Sequence, residues 1–212
     1  EETLAAKGKD EALDVVKSML HNPGSVMYVR QQQPAGLGHA VWCARHLIGS
    51  EPVAVLLADD LILGASCVRE MVESCSGGNM VAVMDVPQDQ TGAYGIVTPG
   101  ADDGRVVQIE GLVEKPDPDE APSNIAVVGR YIITPEVFET LAAQERGAGG
   151  EIQLTDALAK QIGSAPFTGV RFSGERFDCG SKLGFLQANV AFGLNNGTLE
   201  GDLRSWLEER LT

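Results

Sequence analysis

Residues 52–60 read PVAVLLADD, seven residues without a charge closed by two aspartates. A near-continuous apolar run of this length fits a strand buried on both faces, as in parallel sheets covered by helices. Outward from it the chain alternates strand and helix. Upstream, HAVWCARHLIG (39–49) reads as a helix and SVMYVR (25–30) as a strand, while residues 9–20 place Leu13, Val16 and Leu20 on one helical face. Downstream come a helix over 66–74 ended near Gly77–Gly78, a buried strand over 80–86, and strands over 94–98, 106–110 and 125–133. Thr134–Pro135 is a helix start, Thr as N-cap and Pro at the first helical position, leading to about residue 143. A helix over 151–162, a strand over 168–172 and two closing helices, 181–194 and 202–211, complete the pattern. It predicts an α/β domain with a mixed sheet, three layers deep.

The chain has 212 residues, which at ~150 residues per domain means one large domain, or one with an appendage. Acids outnumber bases 30 to 16, for a net charge of -14. That excludes a general nucleic-acid binder, since phosphate backbones are held by clustered Lys and Arg. It also disfavours an anionic membrane surface, and no apolar window is long enough for a transmembrane helix. The opening EETLAAKGKDEALDVVK is charged and helical, unlike a signal peptide. The four cysteines, Cys43, Cys67, Cys75 and Cys179, show no CxxC spacing and read as free thiols of a reducing cytoplasm. His21, His39 and His46 are dispersed and show no metal-ligand spacing. Residue 1 is Glu, and a fragment of a longer chain is the expectation.

Five stretches carry chemistry, each with an ordinary structural alternative. QQQPAGLGHA (31–40) puts glycines between a strand and a helix, where backbone can approach a ligand and a helix N-terminus favours anions; a plain turn is the alternative. Asp59–Asp60 follows the apolar strand, at the strand end where ligands of open α/β sheets bind. A carboxylate there can hold Mg2+ together with substrate phosphates, or cap the strand in an Asx-turn. Glu114–Lys115, on an extended segment, point to opposite sides. The lysine can hold a phosphate as a point charge, or the two form a solvated charge pair. Asp178 in FDCG is a second metal ligand or a helix-start acid. GEIQLTD (150–156) is a polar helix start that can face a sugar or simply cap.

Taken in order, GLGHAVWCA, LLADD, AYGIV, VEKP, GRYI, GEIQLTDAL and FDCGSKLGF closely resemble the bacterial UTP–glucose-1-phosphate uridylyltransferases, or UDP-glucose pyrophosphorylases. The resemblance covers essentially the whole chain. GLGHA, EIQLTDA and FDCGSKLGF look more like this family than like its relatives for thymidine or adenosine nucleotides. The resemblance implies a three-layer α/β/α, Rossmann-like nucleotidyltransferase fold with a mixed, mostly parallel sheet. It implies transfer of a uridylyl group from UTP to glucose 1-phosphate, giving UDP-glucose and pyrophosphate with Mg2+ as cofactor.

Residue by residue, the resemblance implies that Gln31 and Gly36 contact the uracil ring and that Asp59 binds Mg2+, completed by Asp178. It implies that Lys115 holds the phosphate of glucose 1-phosphate, Glu114 the glucose hydroxyls, and Gly95 the hexose through its backbone, with Gly129 a further hexose-side contact. Lys115 and Asp59 are the expected catalytic pair. The family's opening strand and Gly-rich triphosphate loop, G-x-G-T-R-x-x-P-x-T-K, has no match here. The expectation is therefore a single domain over 1–212, N-terminally incomplete and lacking its first strand. A sister hexose-1-phosphate nucleotidyltransferase and a non-catalytic UDP-sugar-binding module are the competing readings. Leu203, Trp206, Leu207 and Leu211 recur at helical spacing within the C-terminal helices, about 181–212. That stripe suits self-association as a dimer or tetramer, or packing on the chain's own core.

Overall fold

The computed structural model describes residues 1–211, and the chain divides between Gln32 and Gln33 into two units. The first holds two short helices, α1 (Glu2–Ala6) and α2 (Asp10–Ser18), with Leu13 buried. The strand expected over 25–30 does not form. Val26, Met27, Tyr28 and Val29 are exposed, Tyr28 at 94%. A strand needs a neighbour to take up its N–H and C=O groups, and no described strand pairs with this segment.

The second unit runs α3 (Leu37–Cys43), β1 (Val53–Leu56), β2 (Asp60–Leu63), α4 (Cys67–Glu73), β3 (Asn79–Asp85), β4 (Gly95–Asp102), β5 (Val106–Glu114) and β6 (Ile125–Ile133). It continues with α5 (Glu136–Ala142), α6 (Leu154–Ala159), β7 (Phe167–Arg171), β8 (Glu175–Asp178), α7 (Lys182–Leu194) and α8 (Glu200–Leu211). Six strands form one sheet in the order β1-β6-β3-β7-β5-β4. Side chains of β3 alternate across it, as the two-residue period requires. Val81 and Val83 join Val137 and Leu141 of α5 and Leu154 and Leu158 of α6 in the main core. Met80 and Ala82 meet Cys67 and Met71 of α4 on the opposite face. Helices on both faces give the expected three layers.

Two expectations about the sheet need correction. By their pairings β1, β3, β4 and β7 run one way, but β3–β7 is the one parallel ladder among the described strands. The reversed strands β5 and β6 lie between the others. Antiparallel neighbours need only short connections, as between β4 and β5, whereas parallel ones need a long crossover. Among the described strands β1 pairs with β6 alone. Val53 and Val55 are half-buried while Ala54 and Leu56 are exposed. An apolar run predicts burial on both faces only where neighbours cover the strand.

A second, two-stranded sheet joins β2 to β8 antiparallel, with Asp60 opposite Asp178 and Ile62 opposite Arg176. Four-residue strands leave little periodic signal, and the sequence pattern missed both. Helix α7 covers this ribbon, burying Ala188 and setting Phe192 edge-on to Phe177 with ring centroids 6.3 Å apart. Helix α8 closes on α7 where Leu203 meets Gly193. Of the apolar stripe on α8, Leu203 and Leu207 are half-buried, while Trp206 and Leu211 are exposed.

Candidate active site

A cleft of about 350 Å³ opens where β1 ends and β2 and β8 begin to pair. Asp59, Asp60, Gly95, Glu114, Lys115, Gly129 and Asp178 all line it. Those residues come from five separate stretches of sequence, and the fold brings them to one place. Another depression, of about 380 Å³ beside Glu145, Arg146 and Lys160, contains none of them. Gln31 belongs to the N-terminal unit, whereas residues of the second unit alone line the cleft.

The two adjacent aspartates do different work. Asp60 is buried at 5% exposure, and both its oxygens are taken: Oδ2 accepts from the backbone N–H of Gly129 at 2.7 Å, and Oδ1 accepts from Nε of Arg176. On an antiparallel ribbon, residues diagonally related across the ladder share a face and come within reach of each other. That places Arg176 beside Asp60 and offsets the repulsion between Asp60 and Asp178, which stand directly opposite. Burial works against the charge on Arg176, and its bonds to Asp60 and to the Tyr94 hydroxyl more than compensate, so its pKa is raised. Gly129 must be glycine, because a Cβ there would fall 2.2 Å from the Asp60 carboxylate.

Asp59, in the turn before β2, is exposed and faces the cleft. Its carbonyl accepts from the N–H of Cys179 at 2.8 Å, tying this turn to the end of β8. Asp59 Oδ2 and Asp178 Oδ1 converge on Gly180: a Cβ there would lie 3.3 Å from the first and 3.0 Å from the second. Asp178 is not the cap of α7. Ser181 fills that role, its hydroxyl accepting from Gly184 N–H at 3.0 Å. Among the described residues no group of three or more metal-ligating side chains exists. Asp60 is committed to Arg176, and Asp178 Oδ1 accepts from the Gly180 N–H at 3.0 Å, which leaves Asp59 and Asp178 as the two cleft carboxylates that converge. That is a donor set suited to Mg2+, which takes one or two carboxylates and leaves its other positions to water and phosphate oxygens.

Glu114 and Lys115 depart from the expectation of opposite sides. Glu114 ends β5, but Lys115 has φ 47°, in the left-handed region. The extended alternation stops there, and Lys115 Nζ comes within 3.8 Å of Glu114 Oε1. A non-glycine residue held in this region is strained, and such strain clusters at functional sites. The backbone N–H of Lys115, bonded to the carbonyl of Tyr94 at 2.9 Å, holds the turn. The lysine side chain is 54% exposed and that of Glu114 only 11%. Thr155 Oγ1 donates to Glu114 Oε2 at 2.7 Å, and Gly95 packs against both, a Cβ on it falling 3.0 Å from Thr155 and 3.2 Å from Glu114.

Tyr94, Thr155 and Arg176 also line the cleft, and sequence reasoning missed all three as individual residues. Thr155 lay within a stretch read as sugar-facing, but that stretch is not helical from its start. Residues 151–153 are extended, and α6 begins only at Leu154. The 35–38 loop takes up their backbone groups instead: Ile152 N–H donates to Ala35 O and Gly38 N–H to Ile152 O, both at 2.8 Å. Gly36, at φ 108°, sits against Glu151 and Ile152 so closely that a Cβ would come within 2.7 Å. Its neighbour Leu37 lines the cleft.

Comparison with known proteins fits this geometry. Residues 8–193 match the nucleotidyl transferase family. The chain is 47% identical over 98% of its length to a UTP–glucose-1-phosphate uridylyltransferase of Komagataeibacter xylinus, covering 72% of that protein. The chain belongs to the UTP–glucose-1-phosphate uridylyltransferase family. Solved structures of the family agree in fold. A UTP-bound UGPase from Acinetobacter baumannii superposes with a TM-score of 0.88 at 35% identity, covering 98% of this chain and 74% of that one. A UDP-glucose pyrophosphorylase complexed with UDP-glucose gives 0.82 at 37% identity, covering 90% of this chain and 74% of that one. Nucleotidyl transferases of this family generally use a divalent metal.

Proposed function

We propose that this chain forms UDP-glucose and pyrophosphate from UTP and glucose 1-phosphate, with Mg2+ held by Asp59 and Asp178. The observation that carries the reading is the gathering of the converging carboxylates of Asp59 and Asp178 and one exposed lysine around a single cleft. A phosphate oxygen of glucose 1-phosphate attacks the α-phosphorus of UTP in line. One P–O bond forms, the α–β bridge breaks, and pyrophosphate carries away the electron pair. No covalent enzyme intermediate is needed, so the protein contributes positioning and charge neutralisation. When bound, Mg2+ polarises phosphate oxygens and offsets the repulsion between the two anions.

Lys115 holds the attacking phosphate. Its pairing with Glu114 is long and open to water, hence weak, and a phosphate readily takes over that charge. Glu114, oriented by Thr155, accepts from the glucose hydroxyls. Gly95 and Gly129 are assigned to the hexose through their backbone; the space beside their Cα atoms is filled by Thr155 and Glu114 and by Asp60 and Leu57. Gln31 and Gly36 are assigned to the uracil ring. Four free thiols suit a reducing compartment, and a cytoplasmic location is part of this reading. So is a homo-oligomer: Leu183, Phe185 and Leu186 of α7 and Trp206 and Leu211 of α8 leave apolar surface in water. Light scattering tests that part.

The experiment for the reaction is pyrophosphate release across a panel of nucleoside triphosphates and hexose 1-phosphates. UTP with glucose 1-phosphate is expected to turn over fastest. Preference for another pair selects a sister enzyme, and UDP-glucose binding without release selects a binding module.

A further inference from the structure

Resting on that reading, we propose that Arg176 and Tyr94 are positioning residues that clamp the sugar side of the cleft to its metal side. The side chain of Arg176 is largely buried, and its guanidinium faces two ways. Its Nε holds Asp60 Oδ1, and its Nη1 donates to the Tyr94 hydroxyl at 3.2 Å, with the guanidinium carbon 5.5 Å from the Tyr94 ring centroid. On one side, Asp60 is the chain neighbour of Asp59 and the ladder partner of Asp178, and its Oδ2 fixes the N–H of Gly129. On the other, Tyr94 precedes Gly95, and its carbonyl receives the N–H of Lys115, the bond that holds the left-handed turn.

The consequence is specific. Neither Arg176 nor Tyr94 is assigned a substrate contact. Yet the groups assigned to the hexose and its phosphate, Gly95, Lys115 and Gly129, hang from the two ends of this one bridge. A planar guanidinium with fixed donor directions suits the task, since a lysine in its place offers a point charge without the fork.

The test uses affinity for two ligands, UDP and UDP-glucose, measured by calorimetry with Mg2+ present. Their ratio isolates the hexose contribution. Tyr94→Phe removes only the hydroxyl and is expected to cut that ratio about fivefold, the order of one hydrogen bond to a charged group expressed indirectly. The affinity for UDP stays within twofold, a split that a general loss of structure does not produce. Arg176→Lys is expected to cut the ratio further, and Tyr94→Phe adds little on top of it. A Tyr94→Phe protein with an unchanged ratio, or one weakened equally toward UDP, overturns the bridge. If the wild-type chain itself does not prefer UDP-glucose to UDP, the parent reading fails first, and the two failures are told apart by that control.

Discussion

Thr155, on α6, donates from Oγ1 to Oε2 of Glu114 at the end of β5, over 2.7 Å and 41 positions of sequence. The contact joins a helix start to a strand end and leaves the other carboxylate oxygen of Glu114 facing Lys115. Thr155→Val preserves shape and removes the donor. The KM for glucose 1-phosphate is expected to rise about tenfold, with a smaller change in kcat, as for losing one bond to a charged group. Thr155→Ser restores both. Steady-state kinetics with glucose 1-phosphate varied at saturating UTP decides it, and an unchanged KM in the Val variant refutes the orienting role.

Gly180 separates the carboxylates of Asp59 and Asp178. A methyl group there lies 3.0 Å from Asp178 and 3.3 Å from Asp59, so both side chains must splay. Gly180→Ala is expected to raise the Mg2+ concentration for half-maximal activity about fivefold while unfolding free energy moves by less than ~0.5 kcal/mol. A metal titration paired with a thermal melt reads both quantities. An unaltered metal requirement places the ion elsewhere.

Asp59 and Asp60 are adjacent yet predict opposite variants. Asp60→Ala strands a buried guanidinium and leaves Gly129 N–H unpaired, and is expected to cost about 3–5 kcal/mol of stability. Asp59→Ala touches an exposed side chain and is expected to cost less than ~0.5 kcal/mol while abolishing turnover. Urea unfolding of the two variants side by side separates them. Equal destabilisation contradicts the division of labour.

Asp156 gives a pH signature. Burial raises its pKa above the ordinary 3.8, against a smaller opposing pull from Lys160. The folded state therefore holds its proton to higher pH than the unfolded state. Charging the group costs stability above the folded value, and that cost disappears below 3.8, where both states are protonated. Asp156→Asn is expected to melt above wild type at neutral pH, with the margin shrinking on acidification. A margin independent of pH contradicts this.

Much of this was legible in the sequence, and the exceptions share a cause. Long uniformly apolar runs were read correctly, as with β3 and β6, because burial imposes the pattern directly. The β2–β8 ribbon was missed because four-residue strands carry almost no periodicity, although both residues expected to hold metal sit at its end. The apolar run at 53–56 is half-exposed, because its burial depends on a neighbouring strand that composition does not reveal. Glu114 and Lys115 were set on opposite faces because a positive φ at a lysine has no sequence signature. The buried role of Asp60 depends on Arg176, which follows 116 positions later. Six of the residues picked out by motif line one cleft, and Gln31 and Gly36 do not. The partners that rigidify it were visible only in three dimensions.

Lys115 and Asp59 are expected to act together on a sugar phosphate and a nucleoside triphosphate. The direct measurement is pyrophosphate release from UTP by the wild-type chain and by Lys115→Ala and Asp59→Ala, with and without glucose 1-phosphate and Mg2+. Release is expected to require both additions and to fall by about three orders of magnitude in each variant, with circular dichroism unchanged. Near-normal turnover in Lys115→Ala, or release that ignores glucose 1-phosphate, contradicts it.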